Sequence, residues 1–151
     1  MVNYIIEKDK VDLALLSEFV KFVDKDFVPP LVGRVDIDLW IEKVYDKGSI
    51  VLAEYGDVYV GCLLFYANDV ESRTGYIAYL AVESQYRRLG IAKKMLECCF
   101  NISRASSMSS ISAYTNNPHA LSLYKRMGFV EKSSKVIEEY SVTRTFLIKQ
   151  L

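Results

Sequence analysis

Histidine is nearly absent from this chain, the one copy being His119. A His-centred triad would also need a placed nucleophile, and no Gly-x-Ser-x-Gly elbow supplies one. His119 falls in the first turn of an expected helix, where a surface role suits it. Cysteine is equally sparse, with Cys62, Cys98 and Cys99. An odd count with two neighbours makes a poor disulfide framework. Cys98 and Cys99 point about 100° apart on a helix, and no Cys-x-x-Cys or His-Glu-x-x-His spacing occurs, so no metal site is expected. The cysteines read as small core residues. An excess of either charge is missing too: 19 basic residues balance 19 acidic ones. A generic polyanion binder needs a basic face, so nucleic acid is not an expected partner. No apolar run reaches the length of a membrane span. The N-terminus "MVNYIIEKDKVDLALL" lacks the plan of a secretory signal, and a cytoplasmic location with reduced thiols is expected.

What is present is a globular composition, 51% hydrophobic and 25% charged. One domain spanning residues 1–151 is expected, without internal repeat or linker. "NYIIEK" (3–8) reads as an edge strand. "DKVDLALLSEFVKFVDKDF" (9–27) carries a broad helical face. The prolines Pro29 and Pro30 end it in the loop "PPLVGRVD". Asp36 or Asp38 would cap a second helix with Leu39, Ile41 and Val44 inward and Gly48 as its stop. "SIVLAEY" and "VYVGCLLFYA" flank Gly56-Asp57 as a hairpin. The mostly apolar "GYIAYLAV" (75–82) reads as a central strand. A helix from Gly90 to about Arg104 with its apolar face at 91, 92, 95, 96, 99 and 102, a strand over 109–114, a helix within 117–129 that ends in glycine, and a final strand pair complete the chain.

Two stretches carry chemistry. "YRRLGIAKKML" follows the central strand and opens a helix, so unpaired N–H groups gather at the positive end of its dipole. Gly90 admits close approach by a ligand, and Arg87 and Arg88 add charge. Such a junction suits a phosphate or pyrophosphate. It is neither a dinucleotide-binding loop nor a nucleoside-triphosphate loop, since both glycine patterns are missing. "NNPHALSLYKRMGF" begins with a capping Asn117 before Pro118 and places Asn117 and Tyr124 two helical turns apart on one side.

Together these stretches resemble the GNAT superfamily of N-acetyltransferases. Arg87-Arg88-Leu89-Gly90-Ile91-Ala92 matches that family's acyl-CoA signature, Gln/Arg-x-x-Gly-x-Gly/Ala. Asn117, Ala120, Tyr124, Gly128 and Phe129 match its second motif helix, and the order of elements agrees over the whole chain. The resemblance implies an α/β GNAT fold: a central mixed, mostly antiparallel sheet flanked by helices on both faces. It implies acetyl-CoA as co-substrate and no metal. Backbone amides from Arg88 through Lys93, thus including Leu89, Gly90, Ile91 and Ala92, would cradle the pyrophosphate beside Arg87. Leu80, Ala81 and Val82 would pair their main chain with the pantetheine arm, as an added strand would. Asn117 would bond the same arm, and Tyr124 would protonate the departing thiolate. A phenol of pKa about 10 suits a thiol of pKa about 8.5.

The chain departs from the family in one place. Many members carry a glutamate in the central strand as base, whereas this strand offers Tyr76 and Tyr79. Glu83 beyond it and Glu71 before it read as surface charges. At pH 7 a lysine amine is neutral in only about 1 part in 2,500, an α-amine in roughly a tenth. Amines of lower pKa, as in amino sugars, amino acids or peptide N-termini, are therefore the easier acceptors. Candidates for the acceptor side are Phe27, Leu31 and Arg34 of the interhelical loop, with Tyr76 and Tyr79. The expected activity is acetyl transfer to a primary amine of a small molecule by direct attack. Its rivals are a protein N-terminal acetyltransferase and a non-catalytic acyl-CoA sensor. A monomer or a homodimer through the C-terminal strands would be compatible with the fold.

Overall fold

In the computed structural model, which describes residues 1–151, seven strands form one sheet in the order β1-β2-β3-β4-β5-β7-β6. The strands are β1 (Val2–Ile5), β2 (Ser49–Tyr55), β3 (Val58–Tyr66), β4 (Thr74–Val82), β5 (Ser110–Thr115), β6 (Val130–Ile137) and β7 (Val142–Gln150). The helices are α1 (Leu13–Asp24), α2 (Ile37–Lys47), α3 (Ile91–Ala105) and α4 (Pro118–Arg126). Only β4 and β5 run parallel, joined through α3; every other pair is antiparallel.

Two apolar layers cover the sheet. On one face α3 and α4 bury Ile91, Met95, Leu96 and Tyr124 against Leu63, Phe65 and Ile111. Here α3 comes so close to β3 that a Cβ on Gly61 would lie 3.1 Å from Met95 Cε and 3.2 Å from Ile91 Cγ2. On the other face α1 and α2 bury Leu16, Val20, Ile41 and Val44 against Leu52, Leu64 and Tyr79. Ser17 Oγ donates to the Asp38 carboxylate, and Lys21 Nζ lies 3.1 Å from it, tying α1 to α2.

The local signals explain the boundaries. Asp12 and Asp36 cap α1 and α2 by accepting the N–H groups of Leu15 (3.1 Å) and Leu39 (3.2 Å), which satisfies one orphan donor each. Gly48 closes α2 by donating to the Val44 carbonyl. Three expectations need correction. Leu39 is not inward: it is 62% exposed on the outer side of α2, because the buried phase runs through Ile37, Ile41 and Val44. The first strand ends at Ile5, and α1 starts at Leu13, where Asp12 caps it, instead of at residue 9. On α3 the buried phase is completed by Phe100 and Ser103, while Ala92 and Ile102 are only half-buried.

Two irregularities shape the centre. The β3–β4 register passes from Leu64↔Tyr79 to Phe65↔Ile77, leaving Ala78 as an extra residue on β4. Such a bulge reverses the alternation of side chains beyond it. Ile77 therefore faces α3 while Tyr79 faces α1 and α2. In addition, β4 pairs with β5 only from Thr74↔Ser110 to Ile77↔Ala113. Both strands continue beyond that point, to Val82 and Thr115, without each other. The sheet is split there.

Candidate active site

The split leaves one edge of Ala78–Val82 without a partner strand. Leu80 and Val82 turn their side chains to the α3 layer, and Ala81 to the α1–α2 layer. The main-chain edge between them is the place where an extended ligand can add as a strand.

Beyond Val82 a single turn, Ser84–Tyr86, leads into the loop before α3. Arg88 (φ 66°) and Gly90 (φ 79°) both adopt left-handed backbone, the first at a conformational cost. The protein offers no acceptor to the N–H groups of residues 88–93, and α3 has no side-chain cap at Gly90. Six unpaired donors thus lie at the positive end of a 15-residue helix, a setting that suits an anion. Leu89 is 66% exposed on the rim, Ile91 is buried beneath, and Lys93 is exposed. Arg88 forms no ion pair. Arg87 turns back instead: its Nε donates to the Val82 carbonyl at 3.0 Å, and its Nη2 lies 3.8 Å from Asp26. The expected loop residues are consecutive in this junction, with Arg87 turned back to the strand and Arg88 exposed. This donor set fits a pyrophosphate, and the bare strand edge beside it fits the amide arm of coenzyme A.

Across the split stands α4. Asn117 Oδ1 accepts from His119 N (2.8 Å) and Ala120 N (3.3 Å), so the cap occupies its oxygen and leaves Nδ2 unpaired. Tyr124 is 3% exposed and packs on Phe129 at 4.9 Å between ring centroids. No protein group bonds its hydroxyl, yet that hydroxyl is not among the sealed polar atoms. Burial raises the pKa of this phenol, with smaller contributions from Cys99 and Tyr76. The phenol is therefore protonated at neutral pH, as a proton donor must be.

The acceptor side is the α1–α2 face. Because of the Ala78 bulge, Tyr76 and Tyr79, three residues apart, both look toward it. Tyr79 is 6% exposed, stacked on Phe27 (4.7 Å, 16°) and edge-on to Trp40 (5.5 Å). Its hydroxyl is buried without a partner, and burial foremost raises its pKa. Tyr76 is 38% exposed and lies opposite Ser112 on β5. Leu31 packs under the loop, but Arg34 folds onto its own backbone, donating to Pro30 O (2.7 Å) and Pro29 O (3.2 Å). Arg34 thus shapes the loop and does not reach toward Tyr79. Glu83 follows the strand directly and donates its N–H to Val60 O. Glu71 sits in the turn before β4, at the opposite end of that strand from Val82.

Sequence reasoning missed two residues that fix this loop. Asp24 is 1% exposed and accepts the N–H groups of Leu31 (2.7 Å) and Val32 (3.0 Å). Its signal was a carboxylate on the apolar phase of α1, four residues after Val20. Asn116 Nδ2 donates to Val28 O at 3.1 Å, joining the loop to the end of β5, while its Oδ1 is buried and unpartnered. No spacing rule marked it.

Comparison with known proteins agrees with this geometry. The profile of the acetyltransferase (GNAT) family matches residues 17–129. N-alpha-acetyltransferase 30 of Saccharomyces cerevisiae is 34% identical over 121 residues, covering 73% of this chain and 66% of the relative. The chain thus spans just under two thirds of that relative's length. N-alpha-acetyltransferase 30 of Schizosaccharomyces pombe is 29% identical over 122 residues, covering 76% of this chain and 77% of the relative. Two solved structures share the fold. One is the NatC complex bound to Gag peptide and CoA, with TM-score 0.78, 24% identity, and 99% and 98% of the two chains covered. The other is a GNAT-family acetyltransferase of Streptococcus pneumoniae, with TM-score 0.80, 18% identity, and 100% and 99% covered. With the profile spanning three quarters of its residues, the chain belongs to the acetyltransferase (GNAT) family.

Proposed function

We propose that the acceptor is the α-amine at the N-terminus of a polypeptide, rather than the small-molecule amine that the sequence put first. The likeness to two N-alpha-acetyltransferases carries this reading. The shape of the acceptor side supports it: α1 and α2 pack on β2, β3 and β4, on the part of that face away from β7 and β6. An extended chain has room to leave the split along that surface.

The chemistry follows from the residues. Acetyl-CoA supplies an activated thioester. The nest at residues 88–93 holds its pyrophosphate, and the edge of β4 aligns its arm so that the carbonyl sits in the split. The neutral amine attacks the carbonyl carbon, the C–N bond forms and the C–S bond breaks. Tyr124 gives its proton to the departing sulfur, and the proton that the new amide nitrogen loses passes through solvent and restores the phenol, so the net transfer is from nitrogen to sulfur. No carboxylate stands in β4 to take that proton, so an amine of pKa about 8 is favoured over a lysine of about 10.4. A main-chain N–H near Val82 would stabilise the oxyanion.

The test is acetyl-CoA-induced thermal stabilisation followed by thiol-release turnover on a panel. The panel holds peptides with free N-termini, N-blocked lysine peptides, amino acids, amino sugars and polyamines. Stabilisation with turnover on free N-termini is expected. Turnover confined to amino sugars or amino acids would restore the small-molecule reading, and stabilisation without any turnover would favour a sensor.

A further inference from the structure

The uncovered part of the acceptor face carries two cations that nothing in the protein neutralises. In the β6–β7 ladder Lys135 stands directly opposite Arg144. Directly paired residues share a face, and like charges so placed repel. The Arg144 guanidinium lies 4.1 Å from the Tyr114 ring, and Tyr114 packs on Phe146 at 4.7 Å. Ala113 and Leu147, the neighbours of Tyr114 and Phe146, point into the α3 layer. Arg144, Lys135, Tyr114 and Phe146 therefore occupy the opposite face, the one bearing Tyr76 and Tyr79. Neither cation forms an ion pair, although Glu138 and Glu139 stand in the turn at the end of the hairpin. The lysines nearest in sequence are occupied otherwise or apart: Lys149 lies over Phe100 on the α3 side, and Lys132 is the extra residue of a β6 bulge.

An uncompensated cross-strand cation pair costs stability, and an aromatic floor under one member holds it in place. The arrangement makes sense with an anion above it. Its position names the anion's source. Arg144 lies at the end of β7 beside the C-terminal end of β5, where Asn116 holds the acceptor loop through Val28. From β4 to β7 is two strand spacings, about 10 Å, and more where β4 and β5 part. An extended polypeptide advances about 3.3 Å per residue. A chain whose amine sits in the split would bring its third or fourth residue over Arg144 on β7.

We infer that Lys135 and Arg144 select polypeptide acceptors bearing an aspartate or glutamate at the third or fourth position. This inference rests on the polypeptide reading above and adds to it a specificity determinant outside the acetyl-CoA groove.

The experiment compares kcat/KM on peptides that differ only at positions 3 and 4, as Glu, Gln or Lys. The native chain should use the Glu peptide about fivefold better than the Gln peptide at low salt, in the range of an exposed ion pair. The ratio should shrink as the Debye length shortens to about 8 Å near 0.15 M salt. The double variant Lys135→Glu/Arg144→Glu should reverse the order and favour the Lys peptide, a gain that a misfolded protein cannot show. Equal use of all three peptides by the native chain would overturn the inference while leaving the polypeptide reading intact. So would a preference for Glu that survives charge reversal. A native dimer that the double variant dissolves, with no charge preference in either, would assign the face to self-association and overturn it too. Absence of acetylation on every peptide, with turnover on small amines, would overturn both readings.

Discussion

At the scale of the residue, Tyr124 and Asp24 show how two polar side chains are accommodated in the interior in different ways. Tyr124 is held protonated by its apolar surroundings, and no protein group bonds its hydroxyl. Tyr124→Phe removes one oxygen from a packed ring, so kcat should fall by about 10²–10⁴. Acetyl-CoA affinity, read by calorimetry, should stay within about twofold; an unchanged kcat would remove Tyr124 as the proton donor. Asp24 instead accepts two backbone N–H groups of the loop that carries Leu31. Asp24→Ala leaves both donors unpaired and should cost about 2–3 kcal/mol in denaturant unfolding. Because the loop bears on the acceptor and not on the pyrophosphate nest, acceptor KM should rise while acetyl-CoA affinity holds. Asp24→Asn, which keeps an acceptor oxygen, should recover part of both losses.

At the scale of the element, the motifs were legible and the registers were not. The Arg87–Ala92 loop and the Asn117–Phe129 helix could be placed from spacing alone, because cap, proline and glycine each force a backbone choice. The bulge at Ala78 had no such mark, since alternation in a strand buried on both faces is weak. Without the bulge, Tyr76 and Tyr79 would have been assigned to opposite faces. Leu39 misled for a related reason: the apolar residues of α2 extend past the half that is buried. The Lys135–Arg144 pair depends wholly on the register of β6 with β7, which composition does not encode. The junction before α3 carries the clearest prediction. Arg88→Glu with Gly90→Asp puts two carboxylates among donors that await an anion and strains a left-handed position. Thermal stabilisation by acetyl-CoA should vanish, while the melting point without ligand should move by only a few degrees. Retained stabilisation would show that the pyrophosphate binds elsewhere.

At the scale of the whole molecule, the buried thiols and phenols all prefer to be neutral. Burial raises the pKa of the Cys62 thiol, pushes Cys99 up to about 12, and raises the Tyr79 and Tyr124 phenols. The unfolded chain ionises its thiols near pH 9 and its phenols near pH 10, whereas the folded chain keeps them protonated higher. The folded state thus binds more protons above pH 9, so stability is fully present below that pH and declines as pH rises. Denaturant midpoints should be level between pH 7 and 8.5 and fall steadily from pH 9 to 11. A midpoint rising over that interval would contradict the burial of these groups.

The split sheet unites these scales, since the strand edge, the loop before α3 and the helix α4 all adjoin it. The direct test is acetyl transfer to one peptide that carries both a free N-terminal amine and an internal lysine, at pH 7, with the modified nitrogen located by fragmentation mass spectrometry. The account predicts one acetyl group, on the α-amine, with the lysine untouched until the α-amine is consumed. Acetylation first at the lysine, or turnover only on small amines beside an inert peptide, would contradict it.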